Sequence, residues 1–356
     1  MLKLRRGVVV EADPLTVQVG DERRPAWADA GLVGEIQEGD EVVVNTEAAD
    51  LGLGSGGFDL VHVNLTRGLE GSGPEGGEHV MKLNYTSLQH SIDPIEAFES
   101  TASQAPPVLV LPMHGHLAPS AWAASQARPD LQIGYVQTAG GALPGRLSGD
   151  VGQLRQFGLL VGHVTAGSAY GGQLEAVTTL GALDAAARRL GWDAILCGPG
   201  PGILGSATDY GHGGAVALDT AHAALALGLP TLVSPRLSSS DSRSRHRGLS
   251  HHTAGVLKLL LGSVHVPVPE IELAGWPTGE EGGGVEMPSV LDALHRACHD
   301  RHDVEVEPVD LEAYEASGLP TRTMGRSLAE DPLFFAAPLA AGRALAEAVT
   351  VRASGV

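Results

Sequence analysis

Three histidines lie within seven residues in the second half of the chain, at His246, His251 and His252. Imidazole is the commonest protein ligand for metal ions, and its ordinary pKa near 6.5 suits general acid and base catalysis. We therefore predict these three residues to be catalytic, with Asp241 as a nearby acid that orients one of them. Adjacent side chains on a helix diverge by about 100°, so His251 and His252 need not serve one centre. Packing or capping is the alternative role for each histidine.

The segment that leads to these histidines, residues 236–247, is rich in arginine and serine. Its four arginines and one aspartate give 4 − 1 = +3 within a chain of net charge −19. Such a local inversion of charge concentrates an anionic ligand, and guanidinium groups bind phosphate or carboxylate with paired hydrogen bonds. We predict that Arg243, Arg245 and Arg247 neutralise an anion. A solvated surface loop is the alternative.

A glycine-rich segment, residues 198–214, holds seven glycines in 17 residues and leads into a helix. Glycine lets backbone amides approach an anion closely at a helix N-terminus. The segment is neither a Walker loop nor a G-x-G-x-x-G fingerprint. A long structural turn is the alternative to an anion-binding loop. The residues predicted to bind the anion here are Gly198, Gly200, Gly202, Gly205 and Thr208, together with Thr165 from an earlier loop.

Further histidines suggest a divalent metal ion as a cofactor. His114 and His116 follow a predicted strand, and Asp209 lies in the glycine-rich segment, so these three are candidate ligands. The sequence has no H-E-x-x-H motif or comparable ligand spacing. Metal assistance therefore stays one option beside metal-free chemistry.

Other catalytic classes have little support. The two cysteines, Cys197 and Cys298, form no C-x-x-C pair, which excludes a disulfide framework and an all-cysteine zinc site. Cys197 falls in an apolar run, where a cysteine is usually inert. The residues around Ser168 do not have the G-x-S-x-G spacing. A serine hydrolase is therefore disfavoured.

The polar segments follow short, almost uninterrupted apolar runs, which are typical of strands covered on both faces. These runs are 107–112, 131–136, 159–164, 192–197, 229–234 and 263–268. Helical periodicity follows at 119–127, 149–157, 173–190, 215–227, 253–261, 288–299 and 327–349. This alternation predicts an α/β fold with a doubly wound, mostly parallel sheet. Ligands bind at the carboxyl ends of such strands, so we expect the polar loops to meet at one edge.

The first 65 residues have a different pattern. Short β-branched or alternating segments, separated by turn residues, predict a small β-barrel-like domain. Residues 66–78 hold five glycines and a proline, and they should form an exposed connection. We therefore predict a small β-domain over residues 1–66 and an α/β domain with the site over residues 67–356.

Composition limits the partners and the location. Lys and Arg number 23 and Asp and Glu 42, giving 23 − 42 = −19, and this charge repels nucleic acid and anionic lipid. We expect no nucleic-acid partner and no membrane association, because no apolar run reaches about 18 residues. The start of the sequence lacks a signal-peptide pattern, so we expect a cytoplasmic protein. A homo-oligomer is compatible with the chain length.

Four segments together resemble a bacterial protein family of unknown function over most of the chain. They are LGLGSGG at 51–57, KLNYTSLQ at 82–89, GPG at 198–200 and RHRGLSHH at 245–252. Ser87 and the Ser206–Thr208 stretch depart from the usual pattern, in which a proline and a Gly-Thr pair would stand. The resemblance implies no activity, cofactor or catalytic residue.

Two function classes remain open from the sequence. The first is an enzyme, a hydrolase or group transferase, that binds a phosphorylated or nucleotide-like anion and uses histidine acid and base catalysis, with or without a metal. The second is a non-catalytic sensor or binding module that uses the same anion site. A sensor returns its ligand unaltered, and an enzyme does not.

Overall fold

The computed structural model describes residues 2–53, 56–69, 80–97, 105–206, 208–272 and 285–349. The chain divides into two compact units, residues 1–93 and 94–356. Most of the connection predicted over residues 66–78 lies outside the described residues, so a boundary at residue 66 stays a prediction.

The first unit contains a closed barrel of five strands in the order β1-β2-β3-β5-β4. Its strands are β1 (Leu4–Ala12), β2 (Leu15–Val19), β3 (Glu22–Trp27), β4 (Glu41–Asn45) and β5 (Asp59–Asn64), with short helices α1 (Ala30–Val33) and α2 (Glu47–Asp50). Alternating valines such as Val17, Val19, Val42 and Val44 fill the interior. This period-two pattern confirms the predicted barrel-like domain. A hairpin of β6 (Val80–Lys82) and β7 (His90–Ile92) belongs to the same unit.

The second unit is built on an eight-stranded sheet in the order β11-β10-β9-β12-β8-β13-β16-β17, and every pairing in it is parallel. The strands of the unit are β8 (Val108–Val110), β9 (Ile133–Thr138), β10 (Gly162–Ala166), β11 (Leu174–Ala176), β12 (Ala194–Pro199), β13 (Thr231–Val233), β14 (Leu237–Ser238), β15 (Gly248–Leu249), β16 (His265–Glu270), β17 (Asp303–Pro308), β18 (Arg322–Thr323) and β19 (Arg326–Ser327). The pairs β14-β15 and β18-β19 are small antiparallel ribbons outside the sheet. The predicted α/β class is thereby confirmed.

Helices cover both faces of the sheet, which explains why its central strands are uninterrupted apolar runs. The helices are α3 (Leu117–Ala127), α4 (Gly149–Gln156), α5 (Thr179–Arg188), α6 (Val216–Ala226), α7 (His251–Leu259), α8 (Met287–Cys298), α9 (Leu311–Glu315) and α10 (Pro332–Glu347). One core contains buried residues of α5, α6, α7 and α8, and the other contains those of α3, α4, α9 and α10. None of these helices is long and apolar enough to cross a membrane within the described residues.

Two helix predictions were wrong at their starts. The helix expected from residue 173 begins at Thr179, because residues 174–176 pair with β10 as an edge strand. The helix expected from residue 327 begins at Pro332, since Ser327 belongs to the β18-β19 ribbon. Proline in the first turn fits that later start, because its missing N–H has no partner there in any helix.

Candidate functional site

The candidate site lies at the carboxyl ends of three adjacent strands, β12, β8 and β13. His212 follows β12, and Arg236 and three more histidines follow β13. We call these five residues the histidine site: His212, Arg236, His246, His251 and His252. β12 and β13 follow one another along the chain, and β8 lies between them in the sheet. The loops after β12 and β13 therefore meet across the end of β8.

The four imidazoles of the histidine site are in mutual contact. The rings of His212 and His252 stack with their centroids 3.4 Å apart and an interplanar angle of 7°. The centroids of His251 and His252 are 4.4 Å apart, and the centroid of His246 is 4.9 Å from that of His251. Adjacent positions on α7 therefore serve one centre. His246 comes from the short turn before the helix, which makes this arrangement possible.

Local capping fixes two of these histidines. Ser250 is the N-cap of α7, and its hydroxyl accepts the backbone N–H of His252. The same hydroxyl is 2.8 Å from Nδ1 of His246. One serine thus starts the helix that carries His251 and His252 and also positions His246.

Several nitrogen atoms of the site are buried without a hydrogen-bond partner among the described residues. They are Nδ1 of His212, Nε2 of His251 and Nε of Arg236. Nε2 of His212 lies 3.0 Å from the carbonyl oxygen of Asp209, which can only accept, so this nitrogen carries the proton. The Nδ1 lone pair of His212 is therefore bare. A buried unsatisfied polar atom costs about 1–3 kcal/mol, which an ordinary structural site avoids.

The histidines are uncharged at neutral pH. Burial, followed by the charges of Arg236 and Arg243, lowers the pKa of His246 to about 3. Burial, followed by His212 and Arg236, lowers the pKa of His252 to about 2. Burial also lowers the pKa of His212 and His251. Neutral imidazole is the form that accepts a proton or binds a metal ion.

Arg236 is a buried cation beside these neutral rings, with 3% of its surface exposed. Its Nη1 lies 3.4 Å from Nδ1 of His252, which is the long limit of a hydrogen bond. Burial lowers the pKa of Arg236 to about 10, partly offset by Asp241. The guanidinium therefore stays protonated at neutral pH and gives the site a fixed positive charge.

Asp241 holds this cation through a buried ion-pair cluster. Its carboxylate lies 2.8 Å from Arg243, 3.3 Å from Arg326 and 3.5 Å from Arg236. Burial alone would raise the pKa of Asp241, but hydrogen bonds and charge from Arg243 lower it well below its usual range. Asp331 completes the cluster with Arg326 at 3.0 Å. The carboxylate of Asp241 thus contacts arginines, and no histidine among the described residues is hydrogen-bonded to it.

The sequence matches the DUF3866 family, described as "Protein of unknown function", over residues 26–342. The chain belongs to the DUF3866 family. This confirms the expected membership in a family of unknown function. Comparison with curated proteins finds no match. A solved structure with some likeness, that of YjeQ from Thermotoga maritima, has 14% identity and a TM-score of 0.14; the alignment covers 46% of this chain and 51% of that chain. The DUF3866 chain thus spans about half the length of that protein, and a likeness this weak supports no conclusion.

The three arginines predicted to bind an anion have different surroundings in the DUF3866 fold. Arg243 makes a two-pronged ion pair with Asp241, with distances of 2.9 and 2.8 Å. Arg245 is exposed, and Nε of Arg247 lies 3.4 Å from the carbonyl oxygen of Asp241. Arg236 contacts His252 directly. After burial, the charges of Arg236 and Arg243 lower the pKa of His246, and those of His212 and Arg245 lower the pKa of His251.

The glycine-rich segment of the DUF3866 chain packs against the loop that follows β9. A Cβ atom on Gly213 would collide with the carbonyl oxygen of Gly140, and one on Gly141 would collide with that of Gly200. The amide of Ala142 also donates to the carbonyl of Pro201 at 2.7 Å. These glycines allow two backbones to touch, which agrees with the structural-turn alternative for this part of the segment.

The remaining predicted anion ligands are spread along the sheet edge. Gly198 lies within β12, while Gly202 and Gly205 continue into the loop. Thr208 is exposed and bonds Ser206 at 2.7 Å. Thr165 lies within β10, and its hydroxyl donates to the carboxylate of Glu175 at 2.7 Å. These residues thus lie on different strands and in different parts of the loop, and the hydroxyls of Thr165 and Thr208 are bonded to neighbours in their own segments.

The three candidate metal ligands also separate. His114 contacts Ser148 and the carbonyl of Pro199. His116 lies 2.8 Å from the hydroxyl of Ser234, and burial, followed by the charge of Arg236, lowers its pKa to about 3. Asp209 is exposed; its backbone carbonyl contacts His212, and its charge also acts on His251. The described histidines whose ligand atoms approach one another most clearly are His246, His251 and His252, all within 4.8 Å.

A second group of polar side chains comes from β9, β10 and the loops after β8 and β9, and it reaches the carbonyl oxygen of Pro199 at the end of β12. We call it the tyrosine cluster: His114, Tyr135, Gln137, Ser148 and His163. The rings of Tyr135 and His163 stack at 5.3 Å. The Tyr135 hydroxyl donates to the carbonyl of Pro199 at 2.9 Å, and Nε2 of His163 donates to Gln137 at 3.2 Å. Burial raises the pKa of Tyr135 and lowers that of His163 to about 3.

Sequence reasoning did not select His212, Arg236 or Arg326 as site residues. His212 stands in a glycine-rich loop, and Arg236 is the second residue after the apolar run 229–234, directly after Pro235. Their positions after strands were a usable signal, since every predicted strand of this sheet ends at the same edge. Arg326 gave none, because it is 85 residues from Asp241 along the chain.

Proposed function

We propose that the DUF3866 chain is an enzyme that binds an anionic small molecule at the histidine site and catalyses its hydrolysis or a group transfer. A phosphorylated or nucleotide-like compound fits this class. The observation that carries the proposal is the meeting of four neutral imidazoles and one buried guanidinium at the carboxyl edge of a parallel sheet. Several of their nitrogen atoms have no hydrogen-bond partner within the described part of the chain.

Arg236 supports the anionic character of the ligand. The cluster behind it holds Arg236, Arg243 and Arg326 against Asp241 and Asp331, so its formal charge is 3 − 2 = +1. Because Nε of Arg236 has no partner among the described residues, the guanidinium can still donate to an incoming oxygen. A preorganised cation of this kind stabilises negative charge that develops during acyl or phosphoryl transfer.

The imidazoles have two roles in such chemistry, as proton carriers or as metal ligands. A proton donor at neutral pH works best with a pKa near 7. The lowered pKa of His246 and of His252 keeps both rings neutral but makes them weak proton acceptors at neutral pH, so it suits metal binding better than proton transfer.

Binding of inorganic phosphate tests the anion site. Titration calorimetry on the full chain should detect binding, and Arg236→Gln should abolish it. Arg236→Lys keeps a buried positive charge and should fold, but it should weaken binding at least about tenfold because the two-pronged geometry is lost. Arg188→Gln, which changes a surface ion pair with Asp184, is the matched control and should bind like the wild type. Equal binding by all variants would contradict the proposed site.

Turnover separates an enzyme from a sensor. The full chain incubated with phosphate monoesters, phosphodiesters and nucleotides should release a product that mass spectrometry identifies, and His251→Gln should lose this activity. A co-purifying anion that is always returned unaltered would overturn the catalytic part and would indicate a sensor instead.

The proposal extends to location and partners. We propose a cytoplasmic protein without a nucleic-acid partner, which agrees with the net charge of −19. Self-association into a homo-oligomer is a further part of it, and sedimentation of the full chain measures this directly.

A further inference from the structure

We propose that His246, His251 and His252 hold a divalent transition-metal ion of the Zn²⁺ type, and that an oxygen of the anionic substrate completes its coordination. This inference deepens the proposed function, and its second half rests on that function. The metal half stands on the geometry of the three histidines alone.

The ligand atoms of the three histidines already lie close together, within 4.8 Å of one another. Zinc binds imidazole nitrogen at about 2.0–2.1 Å, so the nitrogens of a tetrahedral site are about 3.4 Å apart. The remaining difference is at most about 1.4 Å, which small side-chain rotations can close. All three residues come from one turn and the start of α7, so no domain movement is required.

The hydrogen bonds of His246 suit a metal ligand. A coordinating histidine usually donates its other ring N–H to a nearby acceptor, which fixes the tautomer. Nδ1 of His246 has such a partner in the Ser250 hydroxyl at 2.8 Å, which leaves Nε2 for the ion. Nε2 of His251 is buried without a partner among the described residues, and an ion would supply one.

Coordination by His252 has a consequence for Arg236. An arginine can only donate, so the contact of Nη1 with Nδ1 of His252 at 3.4 Å uses the lone pair of that nitrogen. Neutral His252 then carries its proton on Nε2. Binding of the ion through Nδ1 replaces this long contact and frees the guanidinium of Arg236 for the substrate. Metal binding should therefore strengthen anion binding.

The charge of the site also favours an anion as the remaining ligand of the metal ion. Three neutral imidazoles leave the +2 charge of the ion uncompensated, and Arg236 adds a further positive charge beside it. Catalytic zinc sites have three protein ligands and one open position, which an oxygen ligand fills. An anion balances the charge and occupies that position, so the metal and the anionic substrate require each other.

A second group with ligand-like spacing provides the control. His265, Asp303 and Glu305 also place ligand atoms within 4.8 Å of one another, but they lie on the edge strand β17 and its neighbour β16, and both acids are exposed. Exposed acidic groups of this kind are common on protein surfaces. A variant at His265 therefore tests whether a bound ion belongs to the histidine site or to this edge.

Titration of the metal-free full chain with Zn²⁺, followed by calorimetry, and with Co²⁺, followed by visible absorption, tests the metal half. We expect one ion per chain and a tetrahedral cobalt spectrum. His246→Gln and His251→Gln should each weaken metal binding by more than about 100-fold. Loss of a residue that only hydrogen-bonds to a metal ligand already lowers metal affinity about 10–100-fold. His265→Gln should bind like the wild type. If His246→Gln does not fold, as its melting curve will show, the partly exposed His251 carries the test.

Wild-type protein that binds no ion, or an ion that only His265→Gln removes, would overturn the metal half. Inorganic phosphate titrated into zinc-free and zinc-loaded protein tests the substrate half, and we expect at least tenfold tighter binding with zinc. Equal phosphate affinity in both forms would overturn the substrate half but leave the proposed anion site intact. Zinc binding without any phosphate binding would instead contradict the proposed function and leave the metal site standing.

Discussion

The histidine site and the tyrosine cluster lie at the same edge of the same sheet and contain similar residue types, yet their hydrogen bonding differs. In the tyrosine cluster, Nδ1 of His114 donates to the carbonyl of Pro199, and the hydroxyl of Ser148 donates to Nε2 of His114. Both ring nitrogens of that histidine are satisfied. In the histidine site, His212 and His251 each leave one buried nitrogen without a partner among the described residues.

This difference shows that residue type and position do not decide the role of a histidine. A ring whose two nitrogens are both hydrogen-bonded has a structural role. The ring of His114 connects Ser148, in the loop after β9, to Pro199 at the end of β12. A buried lone pair without a donor is a cost to stability, and functional sites are where such costs are retained. By this comparison, the tyrosine cluster has a structural role and the histidine site binds a ligand.

The largest expected effect concerns Asp241, which supports the histidine site from behind. Asp241→Asn leaves the buried Arg236 without its counter-charge, and loss of one partner from a buried ion pair costs about 3–5 kcal/mol. Urea unfolding measures this loss. The exposed Asp209→Asn should change the free energy of unfolding by less than about 0.5 kcal/mol. An Asp241→Asn protein that is fully stable but inactive would assign Asp241 to catalysis, as the sequence suggested, and not to support.

The next largest expected effect on stability concerns the contact between the glycine-rich segment and the loop after β9. Gly213→Ala places a methyl group against the carbonyl of Gly140, and we expect a loss of about 1–3 kcal/mol, as for other overpacked sites. Gly152→Ala in α4 meets open space and should be neutral or slightly stabilising. Thermal unfolding of the two variants decides this. An unchanged melting temperature for Gly213→Ala would contradict the structural-turn interpretation and favour a flexible anion-binding loop.

A pair of matched substitutions contrasts the two histidine environments directly. His114→Leu removes two satisfied hydrogen bonds and leaves their partners buried, so it should destabilise the protein by about 1–3 kcal/mol. His251→Leu removes an unpaired nitrogen and should leave the metal-free protein as stable or more so. Chemical denaturation of both variants provides the measurement. The reverse order of stabilities would mean that the two groups have been assigned the wrong way round.

A further prediction concerns the pH dependence of the tyrosine cluster. The pKa of His163 is about 3 in the folded chain, against an ordinary value of 6.5. Because the unfolded chain takes up this proton first, the stabilisation is complete above about pH 6.5. It is lost as the pH falls toward 3, by up to about 1.4 kcal/mol per pH unit. His163→Gln should reduce the slope of stability against pH in this window, and an unaltered slope would show that His163 does not titrate there.

Much of the fold was predictable, because the central strands and helices have strong local patterns. The apolar runs ending near Val110, Val136 and Cys197 are buried on both faces, and they became β8, β9 and β12. The strands β3 and β17 were missed. Their sequences, ERRPAW and DVEVEP, are charged and lie on half-exposed or edge positions, where the apolar signal is weak.

The site was predictable in place but not in detail. The sequence located His246, His251 and His252 beside one another, and the fold does bring their rings together. It could not show that Asp241 pairs with the distant Arg326, or that Gly200 and Gly213 are needed for contact with another loop. Those relations depend on which strands become neighbours, and strand order is not encoded in any local pattern.

The most direct test of the account is the response of individual imidazoles to Zn²⁺. Long-range ¹⁵N–¹H spectra of the full chain, assigned with single His→Gln variants, resolve the ring nitrogens of each histidine. We predict that one equivalent of Zn²⁺ shifts the nitrogens of His246, His251 and His252, while those of His114 and His163 stay unchanged. Shifts confined to His114 or His163, or no shift in any of the five, would contradict the claim that the histidine site is the ligand-binding centre.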